Sequence, residues 1–399
     1  MTSATNERIG WIDEFKGCVL LLVCLFHVEQ SFTSIDMGLS HASAFRMTAF
    51  FFISGALFST RRFPTFVNYT KHKAKVLLLP YGLLSLLFLA LDPVLYNFEL
   101  YYPRSPKMML LGIVPDIQNV WQYIGWNLFK IFVVGKSSVG SGPIWFVFNL
   151  FCVSVAFYLL QKITRGHFWK TFLLAVLSLI AGWVMNRYQV HLPFGFERVC
   201  TTLFFFACGS LCKNAIIALG KQKSCILVLV AAVSIWHYLF FENASPWFSL
   251  MNNHLGKNIG SFLASSGFGI LSLVSVFLLM DRLPAWKGFA TAKGILRNIS
   301  RNGLIILAVH WWILLVLRIV FKAELDKPGL AYISIPIVII GVILAIPLFR
   351  CKLYRLISKE KNQCKRKPFH SLKRLLVLNY SIFNTTAPVF RVSLISIIR

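Results

Sequence analysis

The stretch Phe15–Phe32, FKGCVLLLVCLFHVEQSF, is the first long apolar run of the chain, and it indicates the fold class. Its length is close to the ~20 apolar residues that a helix needs to cross a bilayer. Similar runs recur along the sequence, which is 57% hydrophobic and 14% charged and has a mean hydropathy of +0.68. A soluble chain of 399 residues carries far more charge. The sequence therefore predicts an all-α polytopic membrane protein.

The apolar runs predict about ten transmembrane helices, at 15–33, 42–59, 76–95, 143–161, 169–186, 199–212, 225–241, 262–280, 303–321 and 332–349. The sixth run is short and can extend outward past Arg198. Placing the N-terminus inside puts most of the 41 Lys and Arg residues in cytoplasmic segments. Basic loops prefer the cytoplasm, so both termini are predicted to be cytoplasmic. The net charge of +27 then reflects membrane orientation, and no nucleic-acid partner is expected.

The organisation predicted is a membrane domain over 1–350 and a basic cytoplasmic tail over 351–399. In the longest outer segment, residues 120–134 are amphipathic and too short to span, which favours a helix in the outer interface. No cleavable signal peptide is expected, because the first run is long enough to span and lacks a small-residue cleavage site. No disulfide is expected, because no cysteine lies in an outer loop. No metal site is expected either, because Cys208 and Cys212 share a helix face without His or acidic partners.

Lys16 and His27 are eleven residues apart in the first apolar run. Eleven steps along a helix return to within roughly 20° of the same face, about 16 Å further on. A cation at the membrane surface then shares a stripe with an imidazole near the bilayer midplane. Ionisable groups at that depth are costly, which favours a functional role for His27. The alternative is a histidine that merely hydrogen-bonds a neighbouring helix.

Six local strings carry a further signal. They are RIGWIDEFKGCVLLLVCLFHV (Arg8–Val28), FRMTAFFFISGALFS (Phe45–Ser59), KVLLLPYGLLSLLF (Lys75–Phe88), GPIWFVFNLF (Gly142–Phe151), RVCTTLFFFACGSLCKN (Arg198–Asn214) and ISRNGLIILAVHWW (Ile299–Trp312). In order and on matching spans, they resemble the motifs of the integral membrane acyltransferase 3 family, over about residues 11–321. Asp13, Lys16-Gly17 and His27 have the spacing of the family's opening motif. Gly303, where a serine is expected, and the long tail depart from the pattern.

The resemblance implies transfer of an acyl group, by default acetyl, from acyl-CoA to a hydroxyl of a cell-envelope or exported glycan. It implies a multi-pass protein of a plasma membrane, the bacterial inner membrane, with acyl-CoA as co-substrate and no other cofactor. An alcohol needs a positioned base at neutral pH, and imidazole suits that task. His27 can deprotonate the hydroxyl directly or carry the acyl group itself. Direct deprotonation needs fewer steps and is favoured.

The resemblance also implies roles for other ionisable residues. Lys16, with Asp13 one turn earlier, is expected to bind the phosphates of acyl-CoA. Lys16 also suits an ordinary membrane anchor that follows the positive-inside rule, and Asp13 suits a solvated acid at a helix start. Arg46, Arg198 and His310 are expected on the acceptor or oxyanion side. Each arginine can instead extend to lipid headgroups, and His310 can be structural. Trp145 and Ser54-Gly55 are interpreted as helix-contact residues.

Two other function classes remain open at this point. A transporter or flippase of an acyl group or a glycan precursor is the main alternative, but internal repeats with matching helix breaks are not found in the two halves. A membrane scaffold without chemistry leaves Lys16 and His27 on one stripe unexplained. The acceptor sugar and the oligomeric state do not follow from the sequence.

Overall fold

The computed structural model describes residues 9–32, 36–60, 63–98, 115–244, 248–256, 258–284, 286–321 and 327–357. Of these residues 83% are helical and none lies in a β-strand, which confirms the all-α class. The chain divides into the units Met1–Ile346 and Pro347–Arg399. Of the predicted cytoplasmic tail, only the helical residues up to 357 are described, and the remainder lies outside the described residues.

The described structure contains fourteen α-helices along the chain. They are α1 (Gly10–Ser31), α2 (Ser43–Ala56), α3 (Phe66–Lys73), α4 (Leu79–Asn97), α5 (Val120–Phe132), α6 (Trp145–Thr164), α7 (Phe168–Arg187), α8 (Phe196–Leu211), α9 (Lys213–Leu219), α10 (Ser224–Ala244), α11 (Ile259–Arg282), α12 (Lys287–Arg301), α13 (Gly303–Val320) and α14 (Pro328–Ile357). A π-helical turn, Ala74–Leu78, joins α3 to α4, so that one continuous helix runs from Phe66 to Asn97.

Eight of the described helices are long and apolar enough to cross a membrane, and they coincide with the third to tenth predicted spans. The first two predicted spans correspond to α1 and α2, which are not among these eight. The α2 helix has only 14 residues, about 21 Å, so its predicted length was wrong. The α1 helix begins five residues earlier than predicted, since Asp13, Glu14 and Lys16 belong to it. The sixth span extends past Arg198, as predicted, and begins at Pro193.

The α1 helix lies in the interior of the bundle, where it contacts α2, α11, α12 and α13. Phe15 and Val19 on it are completely buried. The α7 and α10 helices, by contrast, expose most of their apolar side chains, as is expected of surfaces that face lipid. The α12 helix is amphipathic and packs along the first turns of α1. The centre of the bundle is therefore built around the helix that carries Lys16 and His27.

The α2 and α8 helices approach at two glycines. A methyl group on Gly55 would collide with the backbone oxygen of Phe206, and one on Gly209 would collide with that of Phe52. Glycines let helix backbones come this close, and the interpretation of Gly55 as a contact residue is confirmed. Each of the two helices thus contributes one glycine to the close contact.

The α1 and α13 helices lie side by side and point the same way. Gly303, the first residue of α13, lies next to Leu20, and His310 lies next to His27. Leu20 and His27 are seven residues apart on α1, and Gly303 and His310 are seven residues apart on α13. The two helices therefore run parallel and in register at these contacts. His310 is about 10 Å from the start of the 18-residue α13. His27 therefore lies near the mid-height of α13, although it is only four residues from the end of α1.

Candidate active site

The centre of the candidate site is a cluster of aromatic rings between α1 and α13. The ring centroids of His27 and His310 are 5.5 Å apart, and those of His27 and Trp311 are 5.0 Å apart in an edge-on arrangement. Phe26 lies 5.5 Å from His27 on the other side. His310 is fully buried, whereas His27 is half-buried. Of the two imidazoles, His27 is the one that a substrate can reach.

Hydrogen bonds at one nitrogen orient both imidazoles. Nδ1 of His310 lies 2.6 Å from the carbonyl oxygen of Ile306, one turn earlier. A carbonyl only accepts, so this Nδ1 carries the proton and Nε2 keeps its lone pair. Nδ1 of His27 lies 3.3 Å from the side-chain oxygen of Gln30, which favours the same tautomer. Nε2 of His310 is buried and has no hydrogen-bond partner among the described residues. The cluster thus presents imidazole nitrogens suited to accept a proton.

Arg46 on α2 is held beside this cluster. Its guanidinium carbon lies 3.8 Å from the centre of the Phe26 ring, and Nη1 donates to the Leu39 carbonyl at 2.8 Å. Glu29 shapes the same turn by accepting the backbone N–H groups of Met37 and Leu39 at 3.0 and 3.1 Å. Arg46 is 6% exposed, so it does not extend to the surface as a headgroup contact would. It supplies a buried cation one ring away from His27.

The loop between α5 and α6, residues 133–142, closes over the cluster, and we call it the serine loop. Its Val139 carbonyl accepts the indole N–H of Trp311 at 2.8 Å. Ser138 and Ser141 hydrogen-bond each other inside the loop, with hydroxyl oxygens 2.9 Å apart. Gly142 has φ +30°, and a methyl group there would strike the Trp311 indole. The loop therefore fits against Trp311 only with glycine at this position.

Arg198 contacts the opposite part of the serine loop. Its Nη2 donates to the carbonyls of Val134 and Gly135 at 2.9 and 3.3 Å, and Nε lies 3.9 Å from a Glu197 carboxylate oxygen. The guanidinium carbon is 5.8 Å from the Trp145 ring centre. At 1% exposure, Arg198 is buried in the protein and does not reach lipid. The serine loop thus separates Arg198 from the His27 cluster while contacting both.

Lys16 and Asp13 lie on the first turns of α1, away from the cluster. Asp13 is buried, and Lys16 is half-buried about 16 Å along the helix from His27. Between them, Glu14 is completely buried. Its Oε1 lies 2.6 Å from Nη2 of Arg297, and its Oε2 lies 3.7 Å from Nζ of Lys293. Glu14 thereby fastens the basic α12 helix beside Lys16.

The six residues selected from the sequence thus fall into three groups. His27, His310 and Arg46 come together, Arg198 lies across the serine loop, and Lys16 and Asp13 lie at the N-terminal end of α1. The sequence reasoning missed the contact of Glu14 with α12 and the part played by the serine loop. The i,i+4 pair Lys293 and Arg297 is a visible signal, but nothing in the sequence pairs it with Glu14. Among the described residues, no group of three or more His, Cys, Asp or Glu could hold a metal ion.

One comparison with known proteins gives a match. The model of a family described as an acyltransferase domain, acyltransferase 3, matches residues 9–349. The matched region holds all six selected residues. No curated protein and no solved structure matches the chain.

Proposed function

The chain belongs to the acyltransferase 3 family, and from this premise we propose that it is a membrane-bound O-acyltransferase. In our proposal it moves an acyl group, acetyl by default, from cytoplasmic acyl-CoA to a hydroxyl of a cell-envelope or exported glycan. The observation that carries the proposal is the reachable His27 imidazole beside the buried His310 and Arg46. A base next to a buried cation is the arrangement that acyl transfer to an alcohol requires.

The proposed reaction begins with the acceptor hydroxyl at Nε2 of His27. This nitrogen takes the hydroxyl proton while the oxygen attacks the thioester carbonyl carbon, so that a C–O bond forms. The carbonyl oxygen becomes a transient oxyanion, which the Arg46 guanidinium stabilises. The C–S bond then breaks, and the proton passes from His27 to the leaving thiolate. The products are an ester and free CoA.

His310 acts in this proposal as a positioning residue. Its ring lies against His27, and its own Nδ1 is fixed by the Ile306 carbonyl, so it restricts the orientation of the His27 ring. Because the His27 ring is already restricted, its alignment with the substrate loses less conformational entropy. Transfer through an acyl-imidazole on His27 uses the same nitrogen, but direct deprotonation needs fewer steps and is favoured.

The donor side of the proposal is the N-terminal end of α1. Lys16 and the basic α12 helix, which Glu14 holds in place, offer cations for the phosphates of acyl-CoA. Asp13 is proposed to orient Lys16. The thioester arm must then extend about 16 Å along α1 to reach His27. The adenosine end can therefore remain at the cytoplasmic surface while the acyl group enters the membrane.

The proposal is tested by the O-acyl content of cell-envelope glycan from a host strain with and without the chain, measured by NMR. His27→Gln is the inactive variant, and His237→Gln is the matched control because His237 is a histidine of α10 outside the cluster. The expected result is an O-acyl signal with the wild type and His237→Gln but not with His27→Gln. An unchanged signal with well-expressed protein would reject the proposal. Glycan export that depends on the chain without acylation would favour a transporter instead.

A further inference from the structure

Three cations meet where α5 ends and the serine loop begins. The backbone N–H of Lys136 donates to the Lys130 carbonyl at 3.0 Å, which folds the chain back between these two residues. Within that fold, the Val134 and Gly135 carbonyls accept from Arg198 at 2.9 and 3.3 Å. A single turn of chain thus gathers Lys130, Lys136 and Arg198.

Lys130 and Arg198 are buried, Lys136 is half-buried, and the three cations outnumber the carboxylates near them. Lys130 is 4% exposed and Arg198 is 1% exposed. Nε and Nη1 of Arg198 are buried and have no hydrogen-bond partner among the described residues. Two carboxylates lie near these cations. Glu197 lies 3.9 Å from Nε of Arg198 and accepts the Leu192 N–H at 3.2 Å with its other oxygen, and the buried Asp92 interacts electrostatically with Lys130. Two carboxylates do not balance three cations.

The burial of these cations lowers the pKa values of the two lysines. Burial, with a smaller effect of Lys136, lowers the pKa of Lys130 to about 8. Burial, with a smaller effect of Arg198, lowers the pKa of Lys136 to about 8. Buried cations are retained in proteins when they are paired or bind a charged ligand. Because the nearby carboxylates leave an excess of positive charge, an anionic ligand would stabilise this group.

We propose that Lys130, Lys136 and Arg198 form a binding site for a phosphate-type oxyanion carried by the acyl acceptor. A multivalent oxyanion matches three converging cations, with the lysines as point charges and the free Arg198 nitrogens as directed donors. The serine loop joins this site to the His27 cluster through Val139 and Trp311, whereas Lys16 lies about 16 Å away along α1. That the acyl acceptor carries this oxyanion rests on the proposed function. A sugar phosphate or lipid-linked sugar phosphate has the required chemistry.

The probe for this site is inorganic pyrophosphate. Binding to the purified full-length protein in nanodiscs of phosphatidylcholine is measured as the shift in thermal unfolding temperature at matched ionic strength. Saturable stabilisation of the wild type is expected. Lys130→Gln, Lys136→Gln and Arg198→Gln should each weaken the affinity about tenfold or more. Lys221→Gln, a change at an exposed lysine between α9 and α10, should not alter it.

Several results would overturn the proposal. One is a pyrophosphate shift in the unfolding temperature of the wild type that is no larger than the shift with sodium chloride. Another is an equal pyrophosphate shift in the wild type and in Lys136→Gln. Because Lys136 is only half-buried, this variant keeps the test valid if the variants at buried positions misfold. Loss of the pyrophosphate shift in nanodiscs containing phosphatidylglycerol would assign the site to a lipid headgroup and reject the acceptor. The binding readout does not depend on catalysis. Pyrophosphate binding without acyl transfer would therefore count against the proposed function, whereas normal transfer and binding in all three variants would count against this site alone.

Discussion

The imidazole of His310 rests 5.5 Å from that of His27, although the two residues belong to helices near opposite ends of the chain. The Nδ1–H of His310 donates a hydrogen bond to the Ile306 carbonyl, so the orientation of this ring is set by its own helix. His27 has only the flexible Gln30 side chain as its hydrogen-bond partner in the described structure. The buried ring is fixed and the reachable ring is less constrained. This difference supports a chemical role for His27 and a positioning role for His310.

The first prediction concerns the base. His27→Ala should lower the acyl-transfer rate by roughly 10²–10⁴, the usual cost of losing a general base. Added imidazole should restore part of the rate, because the alanine leaves space for it beside His310. The measurement is the rate of transfer in membrane vesicles at fixed protein content. A mutant at near-normal rate would refute the role of His27, and His237→Ala should behave like the wild type.

The second prediction concerns the donor. Lys16→Ala should raise the KM for acyl-CoA about tenfold, because it removes one charge-assisted contact with phosphate. Lys16→Arg should retain most of the affinity, since charge matters more than shape in such a contact. Initial rates against acyl-CoA concentration in inside-out vesicles measure this. Lys170→Ala, at an exposed position on α7, is the control. Equal KM values for Lys16→Ala and the wild type would return Lys16 to a simple membrane anchor.

The third prediction concerns the contact between α1 and α12. Glu14→Gln should lower the free energy of unfolding by about 3 kcal/mol, the lower end of the range for a broken buried pair, because Arg297 is 40% exposed. Thermal unfolding in detergent measures it. Asp281→Asn is the matched control, since its carboxylate is 48% exposed and 3.7 Å from the same Lys293. An exposed pair contributes about 1 kcal/mol or less. Equal effects of the two variants would contradict the prediction.

The fourth prediction concerns pH. Lys130 and Lys136 have pKa values lowered from 10.5 to about 8, and Asp92, Glu197, Arg198 and His191 are the other charged or titratable groups that interact with them. Between about pH 8 and 10.5 the unfolded chain binds more protons than the folded protein, so these groups make stability rise with pH. The affinity for sulfate, whose charge is constant here, should fall over the same range. In a Lys130→Met/Lys136→Met variant, stability and sulfate affinity should both depend less on pH. If stability and sulfate affinity of the wild type changed in the same direction with pH, the assignment would be contradicted.

The fifth prediction concerns sidedness. Cysteine at exposed Tyr188, between α7 and α8, should react with an impermeant thiol reagent added outside intact cells. Cysteine at exposed Lys221 should react only after the membrane is opened, because basic loops face the cytoplasm. The parental protein measures the background from its own cysteines. The reverse pattern would invert the topology and the direction of acyl transfer.

Much of the fold was predictable because hydropathy reports which segments suit lipid. The run at 169–186 became α7, which exposes apolar side chains along most of its length, and only its ends differ by a residue. The segment 120–134 became the helix α5, as predicted. The length of α2 was wrong because Phe58 and Leu57, although apolar, follow the last helical turn. Apolar character alone does not mark where a helix ends inside a protein.

The relative positions of site residues were predictable only where the residues belong to the same helix. Lys16 and His27 share α1, so their separation follows from helix geometry. The contact of His27 with His310 depends on which helices are neighbours, and hydropathy carries no such information. The same limit applies to Glu14 with Arg297, and to Lys130 with Arg198. Their roles in the reaction remain predictions for the experiments above.

The paired glycine contacts of α2 and α8 have a consequence for how substrates enter. Gly55 and Gly209 bring the two backbones so close that neither helix can slide or tilt without collision. Arg46 belongs to one of these helices and Arg198 to the other, so the two guanidinium groups move as one rigid body. An opening that admits an acceptor is therefore not expected between α2 and α8. An opening between α2 and the helices that carry the imidazoles would separate the proposed oxyanion side from the proton-transfer side, so an acceptor that enters elsewhere leaves the proposed site assembled.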